Sequence, residues 1–405
     1  MNPHRGVDST YAWQRLVAAM ALSTIGGVGM WSVVVALPAV QAEFGIARGG
    51  ASLPYTLTMI GFGFGSILVG KLSDRYGIMA PIAASAVLLC AGYLAAASAP
   101  GIGWYTVAQG IIGVAASATF APLLAHVSLW FARRRGIAIA VFASGNYMAG
   151  VVWPPIVAYF IATLGWRATY TGIAVFVLAT MIPLALYLRG PVPKSEASGA
   201  LAPPVGTPAT LGLTPGSLQA LLLIAGVACC VAMSMPQVHL VAYCSDLGYG
   251  PARGAQMLSL MLGMGIVSRL VSGWIADRIG GLRTLLISST LQGLSLFFFL
   301  PFDGLVSLYL ISALFGLAQG GIVPSYAIVI REYFPAREAG VRVSSVITAT
   351  LFGMALGGYM SGVIFDATGS YKAAFVNGIL WNALNVSIAW FLLRRSLPRT
   401  AGAMA

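Results

Sequence analysis

The sequence predicts an all-α integral membrane protein with twelve transmembrane helices, arranged as two six-helix bundles related by a parallel pseudo-two-fold repeat. Three observations lead to this fold class. The composition is strongly apolar, twelve apolar runs are each long enough to cross a bilayer, and short motifs recur at nearly one spacing in the two halves of the chain. Together they favour a membrane protein built from a duplicated unit.

The composition excludes an ordinary water-soluble globule. Of 405 residues, 59% are hydrophobic and 8% are charged, whereas soluble domains carry roughly 25% charged residues. The net charge of +12 does not indicate nucleic-acid binding, because apolar runs separate the basic residues. The cysteines lie in or beside apolar runs without metal-ligand spacing, so we interpret them as packing residues and expect no metal or other cofactor. They are Cys90, Cys229, Cys230 and Cys244.

Twelve segments are long enough to span a bilayer, since a helix needs about 20 apolar residues to cross roughly 30 Å of hydrocarbon. The first run is too long for the apolar region of a signal peptide, so we predict that it stays attached as a spanning helix. The predicted cores are 16–40, 53–70, 79–98, 103–130, 137–163, 169–188, 217–243, 255–276, 284–301, 305–330, 341–364 and 373–393.

The distribution of Lys and Arg predicts the orientation. With both termini on the same side, 17 of the 22 basic residues fall in loops and tails on that side. Only Arg48, Arg167, Arg253 and Lys372 fall on the other side, and Arg269 lies within a span. Basic residues collect on the cytoplasmic side of membrane proteins. We therefore predict cytoplasmic termini, and a bacterial inner membrane as the location.

The longest polar gap separates the spans into six and six. Residues 189–216 are rich in Pro, Gly, Ser and Ala, which is typical of a flexible linker. We predict an N-terminal six-helix bundle over 1–188, a cytoplasmic linker over 189–216 and a C-terminal six-helix bundle over 217–405.

The two halves share weak internal similarity. GKLSDRYG at 70–77 matches GWIADRIG at 273–280 at an offset of 203, and two aromatic-basic pairs recur at offsets of 203 to 205. Six spans in each copy give both copies the same orientation, which is a parallel repeat.

The two matching loops are candidate gating motifs. Each has a glycine, an Asp-Arg pair and a second glycine at the end of a predicted helix. Glycine permits close helix approach and tight turns, and the charges can bond to each other or to a neighbouring helix terminus. Such contacts would close one face and break when the halves move; the alternative is ordinary loop charges. The residues are Gly70, Asp74, Arg75 and Gly77, and Gly273, Asp277, Arg278 and Gly280.

The sequence resembles the major facilitator superfamily in four features. These are the loop motif after span two, the matching motif after span eight, the twelve spans and the long central loop. The resemblance covers nearly the whole chain and implies two bundles that rock around a central site. Within the superfamily the sequence is most similar to the monocarboxylate and oxalate–formate transporter branch. The segments that carry this similarity are 42–56, 134–150 with Pro154 and Pro155, 238–248, and Arg269 with Gly273.

Arg269 is the most informative residue. It precedes Asp277 by eight residues, which places it about 12 Å along the helix from the loop motif and near the middle of its span. A guanidinium at this depth is costly and indicates a functional site. All ten acidic residues map to loops, tails or span ends. A substrate carboxylate is therefore a candidate partner, because it can accept two parallel hydrogen bonds from the planar guanidinium. The alternative is that Arg269 braces nearby backbone carbonyls or reaches Asp277.

The resemblance points to the same role, since an arginine at this place in span eight binds the substrate carboxylate in that branch. Two departures are evident. The animal members pair the arginine with an aspartate one turn earlier, where this chain has Gly265, and they carry a lysine near the first span, where GGVGMWS at 26–32 has none. The resemblance therefore does not extend to the residues of the animal-type route of proton coupling.

Other polar residues in the spans complete the candidate site. Asn146 and Tyr147 lie about ten residues into span five, at roughly the depth of Arg269. Gln237 and Tyr326 are further candidates, although polar residues in lipid often serve only to join helices. His126 and His239 are the histidines within spans and could carry a proton, unless each is a hydrogen-bonded structural residue.

We predict a secondary transporter for a small organic anion, favouring a monocarboxylate, with a proton as a possible coupled ion in symport or antiport. The alternative is an efflux carrier of the same fold for a drug or another bulky solute. A third interpretation is a membrane sensor that does not transport. No P-loop or catalytic triad context is present, so an enzyme is not expected, and a monomer in the lipid bilayer suffices for the function.

Overall fold

The structure is a computed structural model that describes residues 7–131, 135–189 and 211–396. Helices account for nearly all of these residues, and we number them by span. They are α1 (Thr10–Phe44, interrupted at Gly27), α2 (Arg48–Tyr76), α3 (Met79–Ala97), α4 (Ile102–Ser128, with a 3-10 turn at Ser117–Thr119), α5 (Arg135–Leu164), α6 (Trp166–Tyr187), α7 (Pro215–Asp246), α8 (Pro251–Ile279), α9 (Gly281–Phe298), α10 (Leu305–Tyr333, interrupted at Gly320 and Gly321), α11 (Ala336–Thr368) and α12 (Tyr371–Ser396).

The predicted all-helical membrane fold with twelve helices is confirmed. Within the described residues, eleven helices are long and apolar enough to cross a membrane by length and composition, and α9 is the twelfth helix. A helix satisfies all its backbone hydrogen bonds internally, which is what a span in hydrocarbon requires.

The surface of α9 shows how the bilayer arranges side chains. Its polar residues Thr284, Ser289 and Gln292 are buried against other helices, whereas Leu294 and Phe297 are more than half exposed. Exposed apolar side chains of this size recur around the molecule. In water such a surface would drive aggregation, but in a bilayer it contacts lipid.

Close helix approach repeats in the two halves. A Cβ atom on Gly113 would collide with the backbone carbonyl of Thr58, and a Cβ on Gly316 would collide with that of Met261. Both members of the second pair lie 203 residues after those of the first, which is the offset of the loop motifs. The contact joins α2 to α4 and, in the second half, α8 to α10. It supports the predicted duplication at the level of helix packing.

The division into two six-helix bundles at 189–216 stays a prediction, because residues 190–210 lie outside the described residues. The last part of this segment contacts the final helix. The guanidinium of Arg395 donates to the carbonyl oxygens of Leu211 and Gly212 at 3.2 and 3.1 Å. Helix α7 then begins at Pro215, with the hydroxyl of Thr214 accepting from the backbone N–H of Ser217.

Candidate functional site

Helices α5 and α8 form a direct seam between the first six and the last six helices. Pro154 and Pro155 lie within α5, and proline has no N–H to donate to the carbonyl four residues earlier. The carbonyl of Val151 is therefore free of its usual partner within the helix. It accepts a hydrogen bond from the hydroxyl of Ser259 on α8. The proline pair thus provides an acceptor that binds the two halves together.

Further along the seam, the Tyr147 ring packs on α8. A Cβ atom on Gly265 would lie 2.5 Å from Cε1 of Tyr147, so the ring occupies the space that any larger residue at 265 would need. The Arg269 guanidinium lies over the same ring, with Cζ 4.6 Å from its centroid. The absence of a side chain at Gly265 therefore permits a cation–π contact between the two halves.

Only some of the N–H groups of the Arg269 guanidinium have hydrogen-bond partners. Its Nη1 donates to the backbone carbonyl of Ala143 at 3.1 Å, whereas its Nε is buried without a partner. Across 7–131, 135–189 and 211–396, no carboxylate oxygen lies within 4.0 Å of it. Asp277, the alternative partner, is exposed and makes no ion pair within these ranges. The structure thus shows bracing by one carbonyl and an unneutralised charge.

Asn146 precedes Tyr147 on α5 and is half-buried. It makes no hydrogen bond to any residue that the structure describes, which leaves its amide able to bind another group. Trp31, on α1, was not singled out from the sequence. Its ring lies beside Gly150 and its buried indole Nε1 has no partner among the described residues.

Three of the predicted site residues are buried and paired within the last six helices. Gln237 donates to Gln319 at 2.7 Å, Tyr326 donates to Asn385 at 2.8 Å, and His239 Nε2 lies 2.8 Å from the carbonyl oxygen of Gly358. The structure does not bring these side chains into hydrogen-bonding contact with Arg269. Their role in substrate binding stays a prediction.

His126 also has protein partners. Its Nε2 lies 3.0 Å from Nη2 of Arg15 and accepts from the Trp130 indole at 3.3 Å. Arg15 is itself buried and donates to the carbonyl of Leu188 at 2.6 Å. This network joins α1, α4 and the end of α6.

The two loop motifs have matching backbones and lie at one face of the molecule, which we call the motif face. Gly77 has φ 74° and ψ 172°, and Gly280 has φ 85° and ψ 165°, a conformation that favours glycine at both positions. The Asp and Arg side chains of the two motifs are exposed and form no ion pair or hydrogen bond among the described residues. They are Asp74, Arg75, Asp277 and Arg278. A Cβ atom on Gly70 or Gly273 would meet no heavy atom within 4 Å beyond its own helix. The described residues therefore show none of the predicted gating contacts, and the gating role of the motifs stays a prediction.

The Tyr147–Gly265 contact leads to a prediction. Gly265→Ala is expected to displace the Tyr147 ring and to destabilise the protein by about 1–3 kcal/mol, the usual cost of overpacking. In a Tyr147→Ala background, the same substitution should cost less than half as much, because the ring is gone. Thermal unfolding of the four proteins in detergent measures the coupling. Equal costs in the two backgrounds would contradict the contact.

Twelve apolar helices, with contacts between the first six and the last six, are typical of membrane transporters. The sequence model of the Major Facilitator Superfamily matches residues 19–312 and 273–403, so this chain belongs to the Major Facilitator Superfamily. It is a secondary transporter and not an enzyme.

Among curated relatives, monocarboxylate transporter 13 of Rattus norvegicus is 28% identical over 326 residues, covering 77% of this chain and 73% of that protein. Monocarboxylate transporter 11 of Homo sapiens is 27% identical over 418 residues, covering 96% and 84%. The MFS transporter asaE of Aspergillus flavus is 26% identical over 311 residues, covering 75% and 68%. The predicted similarity to monocarboxylate transporters is confirmed.

Solved structures share the fold. The nucleoside transporter NupG superposes with a TM-score of 0.74 at 15% identity, covering 95% of this chain and 100% of that one. A bacterial homolog to the human lysosomal transporter Spinster, in an inward-facing and occupied conformation, superposes with a TM-score of 0.70 at 12% identity, covering 96% of both. At these identities the likeness concerns the fold alone.

Proposed function

We propose that this transporter carries a small organic anion, a monocarboxylate, whose carboxylate binds Arg269. The observation that carries the proposal is a guanidinium in the middle of α8 with one carbonyl partner, a buried unpaired Nε and no carboxylate within 4.0 Å in the described ranges. An unneutralised charge within a span is costly, and an anionic ligand would remove that cost. The names of the relatives in rat and human agree with this substrate class.

The residues around Arg269 suggest how each part of the substrate is held. The Tyr147 ring fixes the guanidinium from one side, and the Ala143 carbonyl holds Nη1. A carboxylate would then bind the remaining N–H groups, and the amide of Asn146 would bind a further polar group of the substrate. Because α5 and α8 belong to different halves, a substrate held here contacts both.

This placement couples binding to the conformational change. The Arg269–Ala143 hydrogen bond and the Tyr147 contact both cross between the halves and would weaken when the halves rock. A bound carboxylate keeps the guanidinium neutralised while those contacts break. Alternating access to the two faces then moves the anion across the membrane, with both termini in the cytoplasm by the distribution of Lys and Arg. The loop motifs at the motif face would close that face in the opposite conformation.

The test is ligand-induced stabilisation of the purified protein. Short monocarboxylates such as lactate and pyruvate are compared with their uncharged amides, on wild type and on Arg269→Ala. A ligand at 100 times its dissociation constant stabilises the folded state by about 2.7 kcal/mol. We expect at least one carboxylate to raise the melting temperature of wild type alone, with no effect of the amides. Equal stabilisation of both proteins by a carboxylate would contradict the assignment to Arg269.

A further inference from the structure

Asp366 forms an unusual helix cap at the face opposite the motif face. Helix α2 begins at Arg48, and its N-cap residue Ala47 has no side chain that can accept a hydrogen bond. The carboxylate of Asp366, near the end of α11, accepts instead from the backbone N–H groups of Arg48 and Gly49 at 2.8 and 2.7 Å. The first N–H groups of a helix lack partners and carry partial positive charge, so an anion there is stabilising. A helix of the first half is thus capped by a residue of the second half.

The side chain of Arg48 makes a second connection between the halves. Its Nη2 donates to both carboxylate oxygens of Asp246, at 3.1 and 2.9 Å, at the end of α7. The guanidinium also lies over the rings of Phe365 and Tyr371, 5.1 and 5.8 Å from their centroids. Only 7% of the Arg48 side chain is exposed. One arginine of α2 therefore contacts α7, α11 and α12; its own side chain is nearly buried, whereas that of Asp246 is 38% exposed.

The backbones of α2 and α11 approach closely beside these charges. A Cβ atom on Gly362 would lie 2.7 Å from Oγ of Ser52 and 2.9 Å from the carbonyl oxygen of Arg48. Ser52 is fully buried, one turn after Arg48. The two helices are therefore in direct contact at Gly362, beside the charged residues.

The two faces differ in this conformation. At the motif face, the charges of the loop motifs are exposed and unpaired among the described residues. At the opposite face, Arg48 joins Asp246 and Asp366 across the halves. The distribution of Lys and Arg predicts that this second face is the outer one. Among the described residues, ion pairs and helix capping therefore join the halves at the predicted outer face, whereas the loop-motif charges form no such contacts at the motif face.

We infer that Arg48, Asp246 and Asp366 form an outer latch, which holds the outer entrance closed and must break before a solute can enter from that side. The inference concerns the transport cycle of this chain and does not depend on the identity of the solute. Opening separates α2 from α11, so it uncovers the N-terminus of α2 and parts Arg48 from Asp246. Charge-assisted hydrogen bonds are lost in both places, and water must replace them. The latch thus sets the balance between the two conformations.

The test uses a cysteine that is buried only while the latch is closed. Ser52→Cys is introduced into the full chain, reconstituted in lipid nanodiscs, and its rate of reaction with a charged methanethiosulfonate is measured. Asp366→Asn and Asp246→Asn are each expected to raise that rate roughly tenfold, since each removes one of the two negative charges that hold α2 in the latch. The same proteins without Ser52→Cys supply the background from the four native cysteines, one half-buried and three buried.

A charge control and a charge exchange test whether the effect belongs to the latch residues. Asp303→Asn removes an acidic charge at the same predicted face, outside the latch, and should leave the rate unchanged. The charge exchange Arg48→Asp with Asp246→Arg should react more slowly than Arg48→Asp alone, because it restores the ion pair. Each variant is first shown to unfold cooperatively and to elute as wild type. An unchanged rate in both Asp366→Asn and Asp246→Asn, or an equal rise in Asp303→Asn, would overturn the latch.

Discussion

Replacing Arg269 by Ala is expected to lower the transport of a short monocarboxylate into proteoliposomes by about 30-fold or more. Losing one member of a buried charge pair costs roughly 2–5 kcal/mol, and 1.4 kcal/mol is a factor of ten. Arg269→Lys should also lose most activity, because an ammonium cannot make two parallel hydrogen bonds to a carboxylate or stack flat on the Tyr147 ring. Initial rates of labelled lactate uptake measure both effects.

The matched control for Arg269 is Arg253→Ala. Arg253 lies at the start of the same helix, is exposed, and contacts only Gln256, at 3.2 Å, among the hydrogen bonds of the described residues. Its replacement makes the same charge change and should leave transport nearly at the wild-type rate. Full transport activity in both Arg269 variants would contradict the proposal that Arg269 binds the substrate carboxylate. The membership of the chain in the superfamily would be unaffected, and the cargo would then belong to another chemical class.

The second large effect is expected at the repeated glycine contact. Gly113→Ala and Gly316→Ala each place a methyl group against a backbone carbonyl that cannot move without shifting a helix. Overpacking of this kind costs about 1–3 kcal/mol, and the cost should be similar at both sites because the contact is the same. We expect each variant to melt at a lower temperature than wild type, and the double variant to show the sum of both losses.

Gly172→Ala is the control for the glycine prediction. Gly172 lies within α6 and has no heavy atom within 4 Å of the added methyl group. Alanine favours a helix over glycine by roughly 1 kcal/mol, so this variant should be neutral or slightly stabilised. A melting temperature of Gly316→Ala at or above that of Gly172→Ala would show that α8 and α10 are farther apart than in this structure.

The candidate site could be predicted only in part. Arg269 stands out in the sequence because a charge within an apolar run is rare, and Tyr147 could be assigned the same depth by counting along its helix. Gln237, His239 and Tyr326 give the same signal, a polar residue within a span. Whether such a residue faces a solute or joins helices depends on the rotation of its helix, which is set by packing against neighbours. The structure pairs these three with Gln319, Gly358 and Asn385.

Other contacts between the halves could not be predicted, because no local sequence pattern indicates them. The hydrogen bond from Ser259 depends on a carbonyl that Pro155 leaves free on another helix. Arg48 and Asp246 are 198 residues apart in the chain, and Arg48 and Asp366 are 318 apart. In the sequence all three latch residues look like ordinary charges at the ends of spans. Their meeting follows from the packing of α2 against α7 and α11.

The sequence by itself determined the number of helices, their boundaries to within a few residues and the class of protein. This is possible because a helix in hydrocarbon satisfies its own backbone and only needs an apolar run of sufficient length, which is a local property. The tertiary structure decided which helices meet across the halves and which charged residues pair there. Those features depend on contacts between residues far apart in the chain. The same sequence must also be able to adopt a second conformation of similar free energy, so no local pattern encodes which contacts form.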